Sequence, residues 1–228
     1  MKLLLFDLDG TILLTSGAGL RAMEQAGVTI FGERFNLKDI ATSGGLDPLI
    51  YAEAAARAGI DDAHVRHDDF RNAYLRQMEV NLAAAPELVF LLPGIGPLLN
   101  DLHRRPDVAL GLVTGNYGPG ADIKLRAVGV DPAWFPVRAF GDEAPDRSGM
   151  VRLAIERHRR LNHHEIPSHD VIVIGDTPHD VACAHANGGR CFAVATGKFS
   201  ADELRRAGAD LVVPDLADPQ PLYDFIAR

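Results

Sequence analysis

Acidic residues stand near both ends of the chain in a pattern suited to phosphorus chemistry. Asp7 and Asp9 lie two apart in FDLDGT, and Asp176 and Asp180 lie four apart in GDTPHD. Between them the chain reads VTGN, in which Thr114 and Gly115 follow an apolar run. Alternate residues of an extended segment share a face, so Asp7 and Asp9 are expected to project together. If the segments carrying the two acidic pairs are neighbours in a sheet, four carboxylates gather in one small volume. Such groups raise one another's pKa unless a cation intervenes. All-oxygen donors suit a hard divalent ion such as Mg²⁺, which keeps some waters and favours phosphate oxygens. Thr114 adds a hydroxyl and Gly115 an open backbone N–H, both suited to phosphate oxygens at a helix start. These residues point to a small phosphorylated molecule.

Elements able to position them are visible as hydrophobic patterns. Short apolar runs occur at residues 3–6, 108–113, 171–174, 191–195 and 211–213, and helical patterns cover 118–128, 148–160, 179–186 and 200–207. Runs without polar alternation read as strands covered on both faces. Alternation of strands with helices implies a doubly wound, Rossmann-like parallel α/β sheet. Ligands bind such sheets beyond the carboxyl ends of the strands, where the three polar segments fall. Residues 15–88 break the alternation, with helical patterns over 22–26, 49–58 and 65–84 and no clear strand. The expected organisation is a core of residues 1–14 and 89–228 with a helical insertion at 15–88.

Composition narrows the classes further. A chain of 228 residues makes one large domain or two modest ones. The net charge of -8 argues against non-specific nucleic-acid binding, which concentrates Lys and Arg. The short basic run at 157–160 reads as a solvated helix face. Cys183 and Cys191 are too few for a disulfide framework, form no CxxC pair, and read as core residues. Asp7 and Asp9 interrupt the opening apolar run too early for a signal peptide. Residues 88–99 are too short for a membrane span and are broken by Pro93, Gly94, Gly96 and Pro97. A soluble cytoplasmic protein with neither nucleic acid nor membrane as partner is expected. His158, His163, His164 and His169 have no carboxylate at useful spacing and read as solvated. Trp134 and Phe135 read as packing against a sheet edge.

DLDGT, VTGN and GDTPHD, in that order at the ends of expected strands, resemble the motifs of the haloacid dehalogenase superfamily. The resemblance covers essentially the whole chain and is nearest to phosphoglycolate-phosphatase-like members with an α-helical cap, which residues 15–88 would form. It implies that Asp7 is the nucleophile and that Asp9 protonates the leaving alcohol and later takes a proton from water. It also implies that Mg²⁺ is bound by Asp7, the backbone carbonyl of Asp9 and Asp176, with Asp180 as support or ligand. Thr114 and the N–H of Gly115 would bind the phosphoryl group. Many members carry a Lys before the last motif, often followed closely by Pro. Here the region reads GDEAPDR, so Arg147 is the candidate phosphate-stabilising cation and Lys124 its rival. Dehalogenases of the superfamily lack the second Asp, so Asp9 favours phosphoester chemistry.

The function so implied is a Mg²⁺-dependent phosphatase acting through an aspartyl-phosphate on a small phosphorylated metabolite, phosphoglycolate or another monoester. A sugar-phosphate mutase of β-phosphoglucomutase type is the enzymatic alternative. A phospho-acceptor signalling or binding module is the non-enzymatic one, disfavoured because receiver-like modules lack a helical insert. The glycine-bearing segment 42–47, TSGGLD, resembles the cap loop that reads the leaving group, and Arg21, Lys38 and Arg57 are the cap cations available to meet an acidic substrate.

Overall fold

A computed structural model of the chain describes residues 1–163 and 165–228; His164 lies outside them. The chain opens with β1 (Lys2–Phe6) and a short ribbon strand, β2 (Leu13–Leu14). Helices α1 (Ala18–Phe31), α2 (Asp47–Arg57) and α3 (His67–Ala84) follow, before β3 (Phe90–Leu91) pairs antiparallel with β2. The helical insertion thus leaves and re-enters through two adjacent strands. The remainder runs α4 (Ile95–Leu102), β4 (Val108–Thr114), α5 (Gly118–Ala127), β5 (Val137–Phe140), α6 (Arg147–Asn162) and β6 (Val171–Gly175). It ends with α7 (Pro178–Ala186), β7 (Arg190–Val194), α8 (Ala201–Arg206), β8 (Leu211–Val213) and α9 (Gln220–Ile226).

Six strands form one parallel sheet in the order β5-β4-β1-β6-β7-β8. Leu3 of β1 lies opposite Ala109 of β4 and Val171 of β6, so the loops after these three strands emerge side by side. Strand periodicity divides the core between two faces. Leu4, Phe6, Leu112 and Ile174 pack with Leu98, Leu125 and Phe225 of α4, α5 and α9. Leu3, Leu5, Val113 and Val173 pack with Met150, Ala154 and Ala184 of α6 and α7. Helices on both faces explain why the strand sequences are apolar without alternation. Each fully buried Leu or Ile contributes roughly 1.5–3 kcal/mol.

The insertion has its own core. Tyr51 and Phe70 stack at 4.1 Å between ring centroids, with Phe35, Tyr74 and Met78 around them. Tyr117 at the start of α5 joins this cluster and so links insertion to sheet.

Several elements exceed what the sequence announces. β5 is an edge strand of four residues whose Val137 and Ala139 face inward while Arg138 and Phe140 are half-buried. α4 carries Pro97 in its first turn, where a missing N–H costs no helical bond, so its Gly and Pro residues do not make it a loop. α1 extends beyond residues 22–26 in both directions. His158 is fully buried, contrary to the expectation of a solvated face. It shares the inward face of α6 with Val151 and Ala154, and its ring lies 3.1 Å from the Asn162 amide. Phe135 is buried in the core, and Trp134 sets its ring edge-on to His103. Cys183 and Cys191 are both buried. No described helix is long and apolar enough to cross a membrane.

Candidate active site

Asp7 directly follows β1 and Asp176 directly follows β6, the strand beside it. Asp180 stands one turn into α7, and the three carboxylates bring oxygens within 4.8 Å of one another, all buried. Gly10, at φ +86, folds the DLDGT loop onto Asp176; a Cβ there would lie 2.5 Å from Asp176 Oδ2. Only glycine accepts both that backbone and that approach. Thr11 donates its hydroxyl to Asp176 Oδ1 at 3.2 Å.

Asp180 does two jobs. Its Oδ2 accepts from the N–H and hydroxyl of Thr177 at 3.0 and 2.7 Å, completing a capping box at the start of α7. Its Oδ1 accepts from Arg147 Nε and Nη2 at 3.0 and 2.6 Å. Arg147 opens α6 behind the N-cap Asp146, is buried, and brings Nη2 to 2.8 Å from Asp7 Oδ1. One guanidinium thus serves two carboxylates of the cluster.

Three carboxylates face one guanidinium, and two of them have their pKa raised by burial. Burial pushes Asp7 up to about 7 against the opposing pull of Arg147. Burial, with the Asp7 and Asp180 charges added, pushes Asp176 up to about 8. An all-oxygen, buried donor set with surplus negative charge fits a hard divalent cation. Both oxygens of Asp180 are already engaged, so the donors best placed for an ion are Asp7 and Asp176, with Asp180 holding Arg147 and α7.

The carboxylate of Asp9 is not in this cluster, and the expected gathering of four acids becomes three. β1 ends at Phe6 and the chain bends at Leu8, so the two-residue strand repeat does not extend from Asp7 to Asp9. Its oxygens accept from Lys124 Nζ at 2.8 and 2.6 Å, and Oδ2 also from Asn116 Nδ2 at 2.7 Å. Lys124 is buried and donates to Asn116 Oδ1 at 2.6 Å as well. Asn116 Nδ2 lies 2.7 Å from Thr114 Oγ1, so the VTGN segment and Asp9 form one network. The two rival cations therefore have different places: Arg147 stands beside Asp7, and Lys124 beside Asp9. Sequence reasoning missed Asn116, although a polar residue two beyond Thr114 at a strand end was a signal for it.

The segment 42–47 of the insertion is docked on the core. The Asp47 N–H donates to the Gly115 carbonyl at 2.7 Å, and Asp47 Oδ2 accepts from the Tyr117 N–H at 3.1 Å. A Cβ on Gly115 would lie 2.0 Å from the Gly45 carbonyl oxygen, so this approach requires glycine. Tyr74 of α3 donates its hydroxyl to Asp47 at 3.2 Å. Burial pushes Asp47 up to about 6 even with Lys124 nearby. Between insertion and core lies a cavity of about 390 Å³. Asp7, Asp176 and Arg147 line its inner end, Asp9 and Lys124 its side, and Thr42–Gly45, Asp47 and Tyr74 its outer wall.

Residues 147–219 match the family model described as HAD-hydrolase-like. A phosphoglycolate phosphatase of Pseudomonas fluorescens is 23% identical over 215 residues, covering 94% of this chain and 77% of the relative. A hydrolase from Pseudomonas syringae superposes with a TM-score of 0.69 at 22% identity, covering 100% of this chain and 99% of that one. CbbY from Rhodobacter sphaeroides, solved in complex with phosphate, gives 0.68 at 22% identity over 96% of both chains.

Proposed function

We propose that the protein is a magnesium-dependent phosphatase that hydrolyses a small phosphate monoester through an aspartyl-phosphate on Asp7, in the cytoplasm, with residues 15–88 acting as a cap. One observation carries this reading: Asp7, a guanidinium and surplus buried carboxylates meet at the inner end of a cavity, with a separate acid, Asp9, on its side wall. The likeness to a phosphoglycolate phosphatase supports the monoester class.

Asp7, the backbone carbonyl of Asp9 and Asp176 would hold Mg²⁺, which when bound neutralises phosphoryl and carboxylate charge. Arg147 holds Asp7 Oδ1, leaving the other oxygen to attack phosphorus in line. Thr114 Oγ1 and the Gly115 N–H receive phosphoryl oxygens, and Arg147 adds charge stabilisation. As the P–O bond to the alcohol breaks, Asp9 gives its proton to the departing oxygen. Water then attacks phosphorus, its proton passes to Asp9, and the Asp7 carboxylate leaves. Asn116 and Lys124 keep Asp9 aimed at the scissile oxygen throughout. The docked segment 42–47 excludes bulk water.

The test is phosphate release from p-nitrophenyl phosphate, with and without Mg²⁺, by wild type and Asp7→Asn. Mg²⁺-dependent release that is lost in the variant is expected; a folded wild type that releases none with Mg²⁺ overturns the proposal. Free phosphate, rather than phosphate retained on a second hydroxyl, separates hydrolysis from the mutase reading.

A further inference from the structure

We propose that the outer end of the cavity is built for an uncharged leaving group, so that the preferred substrate is the monophosphate of a small neutral alcohol or polyol rather than of a hydroxy acid, and not a bisphosphate. This inference rests on the phosphatase reading above and refines it.

Asp9 must touch the leaving oxygen, so the alcohol lies along the wall that Asp9 and Lys124 share with the insertion. A Cβ on Gly19 of α1 would lie 3.4 Å from Lys124 Nζ and 3.8 Å from the Tyr74 hydroxyl, which places these groups around that end. Two carboxylates, Asp9 and Asp47, border it against a single ammonium. An ammonium has three donors. Lys124 directs its own at both oxygens of Asp9 and at Asn116 Oδ1, and none is left for a substrate anion. Arg147 stands at the inner end, where its Nε and Nη2 bond Asp7 and Asp180, away from this wall.

The insertion adds no cation. Its share of the lining is apolar (Leu20, Ile50), hydroxylic (Thr42, Ser43, Tyr74) and, in Asp47, acidic; among the described residues no Lys, Arg or His of the insertion lines the cavity. The three basic residues that were candidates for meeting an acidic substrate are placed elsewhere. Arg21 donates to the Ser16 carbonyl at 2.8 Å, and Arg57 binds Glu53 and the Asp39 carbonyl at 2.5 and 3.1 Å. Lys38 is exposed outside the cavity. Lys198 does reach the mouth, but it follows Gly197, whose Cβ would fall 1.6 Å from Asp176 Oδ2. It belongs to the core loop after β7 and not to the insertion. A carboxylate or second phosphate on the alcohol would lose its water beside Asp47, and the ammonium on that wall, Lys124, is already bonded. Alcohol hydroxyls instead find hydroxyl partners of their own kind.

The experiment measures phosphate release in Mg²⁺ from p-nitrophenyl phosphate, glycerol phosphate, phosphoglycolate and fructose bisphosphate. The expected kcat/KM for glycerol phosphate exceeds those for phosphoglycolate and the bisphosphate by roughly 100-fold. Asp47→Asn, which removes the charge and keeps an acceptor for the Tyr117 N–H, should raise phosphoglycolate relative to glycerol phosphate about tenfold. Leu20→Lys, a half-exposed position on the same wall, should shift the ratio in the same direction without disturbing the Asp47 hydrogen bonds. Phosphoglycolate or bisphosphate turned over as fast as glycerol phosphate, while p-nitrophenyl phosphate is hydrolysed, overturns the inference and leaves the phosphatase reading standing. A selective loss of phosphoglycolate turnover in Lys198→Ala overturns it too. No release from any ester overturns both.

Discussion

The two ends of the cavity are held in different ways. At the inner end, Asp7 and Asp176 each follow immediately on a strand paired on both sides, and Arg147 bridges Asp7 to Asp180. At the outer end, Asp47 and Tyr74 belong to helices with a hydrophobic cluster of their own, joined to the core through Tyr117. Their polar ties to the core include the bonds of Asp47 with Gly115 and Tyr117, the contact of His67 with the Tyr117 hydroxyl at 2.8 Å, and the Arg71–Asp142 pair at 3.8 Å. In the proposed reading, chemistry is thus mounted on central strands of the sheet and selection of the leaving group on the insertion. Positioning to within a fraction of an ångström matters for the first and opening matters for the second.

Replacements at the inner end should therefore abolish turnover of every ester, whereas those at the outer end should discriminate among esters. The largest effect belongs to Asp7→Asn, expected to lower kcat on all substrates by about 10⁴-fold or more. Retention of a tenth of wild-type activity by the folded variant would break the comparison at its firmest point. Asp9→Asn comes next. General acid catalysis contributes about 10²–10⁴-fold, so glycerol phosphate turnover should fall by that much. The first-turnover burst of nitrophenolate from p-nitrophenyl phosphate should fall far less, because the phenolate leaves without a proton, even though hydrolysis of the aspartyl-phosphate also needs Asp9. Equal losses in the burst and in glycerol phosphate turnover would assign Asp9 to the inner end instead.

A smaller effect with the same bias is expected for Lys124→Met, about tenfold on glycerol phosphate turnover and little on the nitrophenolate burst. A general loss of stability alone would lower both rates together, so the ratio separates positioning from folding. The mildest test is of stability against pH. Asp47, Asp7 and Asp176 titrate near 6, 7 and 8 in the fold, against 3.8 for an ordinary Asp. The folded chain therefore holds protons that the unfolded chain has released, and stability falls as pH rises from about 4 through 8. In chelator the melting temperature should drop on the order of 10 °C between pH 5 and pH 8. Millimolar Mg²⁺ should recover most of the drop at pH 8 and little at pH 5, since only the ionised cluster binds it. A melting temperature that rises across this range would contradict the surplus of buried negative charge at the inner end.

Legibility in the sequence follows the same division. The inner end was readable because Asp7, Thr114 and Asp176 lie within a residue of long apolar runs, and the position of a strand end is a local property. Arg147 was readable from its place before a helix. Asp180 was readable as an acid near the cluster, though its double use in the capping box and the Arg147 pair was not. The outer end was largely hidden. Lys124 donates to a carboxylate 115 positions away, and nothing local distinguishes it from a surface lysine. His158 was misread for want of phase: its spacing from Val151 and Ala154 marks an inward face that its basic neighbours obscured.

The sequence by itself determined that strands and helices alternate, that a helical stretch interrupts them, and that acids follow the strands. Hydrophobic periodicity and residue type encode such features within a few turns of chain. The tertiary structure alone decided that β1 lies between β4 and β6, that Asp9 turns away from Asp7 towards Lys124, and that Asp47 closes on Gly115. These depend on which distant groups burial brings together, because a buried charge must take whatever partner the packing places beside it.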